Sequence, residues 1–120
     1  LLQINPYLDI HTDFIKLSEE NIFNLLKEEE YICEAFDVPE QKAMLTNYIL
    51  ENMPEKYLVG ASGMAGYGDS NSIVTRKIMS HYYLCGDGVS EINESQGLMA
   101  PRVMICAAHQ ANMILQLILN

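Results

Sequence analysis

The sequence has few basic residues. Seven lysines and arginines stand against 16 aspartates and glutamates, which gives a formal net charge of −9. A duplex nucleic acid needs clustered Lys and Arg side chains to meet its phosphates, so this balance argues against a nucleic-acid partner. The acidic residues concentrate at 19–20 and 28–30, which is typical of a solvated helix end.

Cysteine is also scarce. The three cysteines, Cys33, Cys85 and Cys106, are widely spaced, and none belongs to a CxxC pair. An odd number without paired spacing predicts neither a disulfide framework nor a structural zinc site. A reducing, cytoplasmic setting fits this cysteine usage best.

The length of 120 residues, 49% of them hydrophobic, suffices for one core. We expect one domain over 1–120, and the lack of an initiator Met and the apolar run at 117–119 favour a piece of a larger domain. Polar residues interrupt the apolar stretch 103–119, which therefore predicts a buried helix and no membrane span.

The hydrophobic pattern predicts strands that alternate with helices. The predicted strands are 8–14, 31–36, 57–61, 72–78 and 81–85, and the predicted helices begin at Ser18, Pro39 and Pro101. A long polar connection is predicted over 86–100. Because the first three strands are separated by helices, we expect an α/β fold with a Rossmann-like, partly parallel sheet flanked by helices.

Asp37 is the strongest candidate for a functional residue. It follows an apolar strand and precedes a helix, which is where open α/β sheets carry ligand-binding groups. A carboxylate there can hold a magnesium ion that bridges nucleotide phosphates. The alternative is that Asp37 only caps the helix that begins near Pro39.

Glycines at 60, 63, 66 and 68 form a second candidate segment. It matches neither GxGxxG nor GxxxxGK[ST], and a strand follows it, so it is a weak candidate for a phosphate cradle. Its backbone freedom permits close approach by another chain, or it simply turns a corner.

Cys85 stands at a strand end before a glycine, so among the three thiols we expect it to be the exposed one, with Cys33 and Cys106 in the core. His109 lies among apolar residues and is expected to be a packed histidine. The cations near the glycine-rich segments are expected to be solvated at the surface; they are Arg76, Lys77 and Arg102.

Five motifs follow one another along nearly the whole chain. They are INP at 4–6, EAFD at 34–37 with KAML at 42–45, SGMAGYG at 62–68, YLCGDG at 83–88 and GLMAPRV at 97–103. Together they resemble the ThiF branch of the ubiquitin-activating-like superfamily, which also includes the molybdopterin-synthase activator MoeB. The resemblance implies the C-terminal half of an activating-enzyme fold, with the nucleotide-binding loop in the part before residue 1.

The resemblance implies ATP-dependent adenylylation of the C-terminal glycine of a small ThiS-like sulfur carrier in thiamine biosynthesis, by a homodimer. Asp37 then corresponds to the family aspartate that places magnesium-ATP. The glycine-rich loop would lie near the adenylate, at Gly63 and Gly66, and the carrier tail would meet five more loop residues. These are Ser62, Met64, Ala65, Tyr67 and Gly68.

Two other functions remain open from the sequence. One is a non-catalytic module in which the glycine-rich loop and the last helix bind a carrier or a second subunit. The other is a thiol enzyme that uses Cys85, which would require a lowered thiol pKa. The 120 residues alone are expected to be inactive, because the phosphate-binding groups would precede them.

Overall fold

A computed structural model of the protein describes residues 1–89 and 97–120. Within these residues the chain forms four strands and three α-helices. In chain order the elements are α1 (Ile22–Leu26), β1 (Tyr31–Cys33), α2 (Pro39–Asn52), β2 (Tyr57–Ala61), a 3₁₀ turn (Ser70–Ser72), β3 (Val74–Met79), β4 (Tyr82–Gly86) and α3 (Ala100–Leu119).

The strands form one sheet in the order β1-β2-β4-β3. Strand β2 runs parallel to both β1 and β4, and β3 pairs with β4 in the antiparallel direction. The predicted α/β fold with a partly parallel sheet is therefore confirmed. Because β1, β2 and β4 are parallel, their carboxyl ends lie at the same edge of the sheet.

Helix α2 and strand β2 have the bounds that the sequence predicts. Pro39 occupies the first turn of α2, where its missing N–H costs no hydrogen bond. The helix ends at Asn52, just before Met53 and Pro54. Helix α2 buries Leu45 and Ile49 in a core cluster together with Ile22, Ile32, Met53 and Leu58.

Helix α3 contributes to a second core cluster, which consists of Val59, Ala61, Ile73, Cys85 and Cys106. Since successive residues of a strand point to opposite faces, Leu58 enters the first cluster and its neighbour Val59 enters the second. The two faces of the sheet thus carry separate cores.

Helix α3 is less buried than the sequence predicts. Its buried residues are Arg102, Cys106 and Gln110, whereas Met104 and Leu119 are among its exposed apolar residues. By length and composition alone α3 is able to cross a membrane, and 17% of its most apolar 18-residue window is buried. The predicted buried helix is confirmed only in part, because one side of α3 packs against the sheet and the other side is exposed.

The predicted strand at 8–14 was also wrong. These residues adopt no regular secondary structure, pair with none of the four strands and are exposed, with Phe14 fully accessible. The alternation of apolar and polar residues is present, but a strand also needs a neighbour for its backbone hydrogen bonds. Of the predicted connection over 86–100, residues 90–96 lie outside the described residues.

Candidate functional site

The candidate site lies at the carboxyl edge of the parallel strands. The segment 34–38 follows β1, the glycine-rich loop 62–69 follows β2, and Asp87 follows β4. Open α/β sheets bind their ligands at this edge. The chain therefore brings Asp37, the glycine-rich loop and the YLCGDG motif to one side of the molecule.

The Asp37 side chain is exposed, and among the described residues it makes no hydrogen bond or ion pair. The N-cap of α2 is Val38, and no side chain caps the helix. The alternative in which Asp37 only caps α2 was therefore wrong. Asp37 presents a carboxylate to solvent beside the strand ends.

A cavity of about 690 Å³ borders the segment that carries Asp37. Phe36 and Val38, the residues on either side of Asp37, both line it. Leu17, Leu25 and Leu26 also line it, together with the polar side chains of Asp13, Lys16 and Gln41. Asp37 itself is not part of the lining.

Glu34 connects the segment 34–38 to α2 and α3. Its side chain is only 2% exposed, and both carboxylate oxygens accept hydrogen bonds from the Lys42 ammonium group, at 2.9 and 3.1 Å. Lys42 also donates to the Ala61 carbonyl at 3.2 Å. Gln110 of α3 donates to the Glu34 carbonyl at 2.9 Å. The pair of Glu34 and Lys42 thus joins the ends of β1 and β2 to the start of α2.

The glycine-rich loop lies directly against the loop that follows β4. The Asp87 amide donates to the Gly63 carbonyl at 2.8 Å, and the Gly88 amide donates to the Ser62 carbonyl at 3.0 Å. Gly63 has a φ of +85°, and a Cβ there would overlap Asp87 Oδ1. Glycine is therefore required at Gly63 by both conformation and space.

The exposed surface of this loop is small. Ser62, Tyr67 and Gly68 are exposed, Met64 is half-buried, and the predicted contact residues Gly63, Ala65 and Gly66 are buried. The Gly66 amide donates to the Gly97 carbonyl at 2.9 Å, and Ala65 pairs with Leu98. The GLMAPRV segment therefore supports the loop from its other side.

Arg102 is buried beneath this loop. Its side chain is 4% exposed, Nη2 donates to Asp87 Oδ2 at 2.6 Å, and Nη1 donates to the Asp69 carbonyl at 2.6 Å. The expectation that Arg102 is a solvated surface cation was wrong. Its guanidinium instead connects α3 to the glycine-rich loop and to the loop that follows β4.

The exposure of Cys33 and Cys85 is the reverse of the prediction, whereas Cys106 lies in the core as predicted. Cys85 is fully buried because β4 is a central strand covered by α3, whereas Cys33 is exposed on the short edge strand β1. Burial raises the pKa of the Cys85 thiol. Burial also raises the pKa of Cys106, to about 11. These shifts disfavour the nucleophilic thiolate at both positions.

Thr75 links Cys85 to His109. Its hydroxyl lies 2.9 Å from His109 Nδ1 and 3.4 Å from the Cys85 sulfur. His109 is therefore a hydrogen-bonded, partly buried histidine, as the sequence predicts. Arg76 and Lys77 are exposed on β3, also as predicted.

Sequence reasoning did not identify Glu34, Lys42 or Asp87 as parts of this edge, and it misjudged Arg102. One signal was present for two of them: Glu34 stands within the apolar run 31–36, and Arg102 is the one charged residue of the helix at 100–119. A charge inside an apolar segment is expensive to bury without a partner. Such a residue therefore indicates a specific ion pair.

In the part of the chain that the structure describes, no three His, Cys, Asp or Glu side chains are grouped so that they could hold a metal ion. Magnesium at nucleotide sites commonly takes one or two protein carboxylates and completes its shell with phosphates and water. The single free carboxylate of Asp37 fits that mode of binding.

The chain matches no protein-family model, and comparisons with curated proteins and with solved structures gave no match. The assignment of a function therefore depends on the residues at the carboxyl edge and on the resemblance of the motifs.

Proposed function

We propose that this chain is the C-terminal part of a ThiF-type adenylyltransferase that activates the terminal glycine of a small sulfur carrier. The observation that carries the proposal is the free, exposed carboxylate of Asp37 at the carboxyl edge of the parallel strands. The carboxylates next to it in the fold, Glu34 and Asp87, are engaged with Lys42 and Arg102. Asp37 is available for an external ligand.

In the proposed reaction the carrier carboxylate attacks the α-phosphate of ATP. The bond between the α-phosphate and the β,γ-phosphates breaks, so that an acyl-adenylate and pyrophosphate are formed, and sulfur transfer follows. Asp37 would hold Mg²⁺ with the ATP phosphates, and the ion would offset their charge. The groups that bind ATP directly would come from the part of the protein before residue 1.

The glycine-rich loop is the proposed contact for the carrier tail. A tail that ends in glycine is narrow, and backbone can approach it closely only where bulky side chains are absent. The loop meets this requirement with Ser62 and Gly68 exposed at the same edge as Asp37. Tyr67 is the exception: it is bulky and 81% exposed, and it would contact the tail through its ring instead of permitting close backbone approach.

The proposal includes a cytoplasmic homodimer in thiamine biosynthesis, with no nucleic-acid or membrane partner. Exposed apolar residues of α3 support a contact with a second subunit; these are Met104, Leu115, Ile118 and Leu119. Polar residues on the same helix disfavour insertion into a bilayer. The same apolar surface favours the second candidate function, a non-catalytic module for carrier binding or dimerisation.

The test is pyrophosphate–ATP exchange by the complete gene product, with and without a ThiS-like small sulfur carrier. Carrier-dependent exchange is expected. If the protein binds the carrier tightly but catalyses no exchange, the adenylyltransferase proposal fails and the non-catalytic module takes its place. The carrier affinity is measured in the same preparations, so that weak binding is not mistaken for absent chemistry.

A further inference from the structure

The buried pair of Asp87 and Arg102 holds both ends of the glycine-rich loop. At the start of the loop, the Asp87 amide donates to the Gly63 carbonyl at 2.8 Å, and the Asp87 side chain fills the space beside Gly63. At the end of the loop, Arg102 donates to the Asp69 carbonyl at 2.6 Å and lies 3.4 Å from the Ser72 hydroxyl. One ion pair therefore fixes the separation of the two loop ends.

The arrangement is specific to arginine. The guanidinium donates through Nη2 to a carboxylate and through Nη1 to a carbonyl, and the planar fork sets the angle between these two acceptors. A lysine ammonium has no rigid fork and would leave one of them without its donor. Asp87 is itself fixed, because its Oδ1 also accepts from the Val89 amide at 2.9 Å.

Stability alone is a poor explanation for this pair. Arg102 Nε is buried and has no hydrogen-bond acceptor in the described part of the molecule. Burying a charged group with an unsatisfied donor costs free energy, and well-packed apolar residues often replace a buried ion pair without loss of stability. The pair instead determines the geometry of the loops that it joins.

We propose that Arg102 is a positioning residue that, through Asp87, holds the glycine-rich loop in the conformation that receives the carrier tail. The inference rests on the proposed function and deepens it, because it assigns a role to a residue with no contact to the reacting atoms. Pre-ordering the loop removes a cost that the carrier would otherwise meet on binding. Gly63 and Gly66, the loop residues expected near the adenylate, are buried, and Asp37 lies outside the loop. Arg102 therefore acts on carrier recognition and leaves ATP binding unchanged.

The test is Arg102→Lys in the complete gene product. We expect faster hydrogen exchange at the amides of Gly66 and Gly68, and a KM for the carrier that rises about tenfold, the cost of ordering one or two loop side chains. The KM for ATP is expected to stay unchanged. A merely structural role would reduce the folded, active fraction, which lowers kcat and leaves both KM values as they were.

The matched control is Lys27→Arg, at an exposed position that ends α1; Arg76 is unsuitable because its guanidinium packs against Gly88 in the loop after β4. Lys27→Arg is expected to change neither KM value nor the loop amides. The double variant Arg102→Met with Asp87→Asn removes both charges, so no unpaired buried charge remains to unfold the protein. It is expected to raise the KM for the carrier at least as much as Arg102→Lys does.

The outcomes separate this inference from the proposed function. If wild-type exchange depends on the carrier but both variants retain the wild-type KM for the carrier, the positioning role is refuted and the proposed function stands. If the wild-type protein shows no carrier-dependent exchange, the proposed function and the positioning role both fail. Faster amide exchange with an unchanged KM for the carrier also refutes the positioning role.

Discussion

Replacing Gly86 by alanine is expected to separate the two loops of the candidate site. Gly86 has a φ of +133°, and a Cβ there would overlap the Ser62 carbonyl oxygen and lie 2.6 Å from the Ser62 carbonyl carbon. These are backbone atoms, so no side-chain rotation relieves the overlap. The chain must move where the Ser62 amide donates to the Cys85 carbonyl at 2.8 Å and the Gly88 amide donates to Ser62.

Two costs in free energy determine how much stability Gly86→Ala loses. Holding alanine at a positive φ costs about 1–2 kcal/mol. Each backbone hydrogen bond that breaks between the loops costs about 1 kcal/mol more. Gly86→Ala is therefore expected to lower the free energy of unfolding by about 3 kcal/mol, a large part of the stability of a typical domain.

The assay is equilibrium urea unfolding, followed by far-UV circular dichroism, with Gly97→Ala as the matched control. A Cβ added at Gly97 would meet no described atom within 4 Å. This substitution is expected to change the free energy of unfolding by less than about 0.5 kcal/mol. Equal stability of the two variants would refute the close contact between the loops after β2 and β4.

Two further predictions concern the buried charge and the thiols. Glu34→Gln is expected to lower the free energy of unfolding by about 3 kcal/mol, because Lys42 keeps a largely buried charge without its partner. The control is Glu40→Gln, at an exposed position of helix α2. Equal urea midpoints for the two variants would contradict the prediction. Cys33 is expected to react with a thiol reagent before Cys85 and Cys106, since only Cys33 is exposed. Although Cys33 is exposed, neighbouring residues partly desolvate its thiol, and this desolvation and the nearby Glu34 carboxylate raise its pKa. The labelling rate of Cys33 should therefore increase as the pH rises from 7 past 9. Faster labelling of Cys85 would contradict the structure.

Local signals predicted the elements whose ends are set by proline. Pro39 at the first turn and Pro54 after the last turn give α2 its bounds, and the apolar run between Pro54 and the glycines gives β2. Asp37 could be located between a strand and a helix for the same reason. That it is free of capping contacts could not be predicted, because capping depends on the backbone angles at Val38.

The predictions that were wrong concern features that are set by contacts between segments far apart in the sequence. The exposure of Cys33 and the burial of Cys85 follow from the strand order, with β1 at an edge and β4 in the centre. The alternation at 8–14 predicts a strand only if another strand pairs with it, and pairing partners are not encoded in local periodicity. Arg102 is buried because α3 packs against loops whose contacting residues lie 15 and 33 residues away from it in the sequence.

The most direct measurement of the central claim is carrier-dependent pyrophosphate–ATP exchange by the Asp37→Asn variant of the complete gene product, beside Asp9→Asn as an exposed carboxylate control. The account predicts that Asp37→Asn loses exchange by about 100-fold or more, the scale expected when a group that stabilises transition-state charge is removed. Its carrier affinity and its unfolding free energy should match those of Asp9→Asn. Wild-type exchange in Asp37→Asn would contradict the claim that the carboxyl edge of the sheet is the catalytic site.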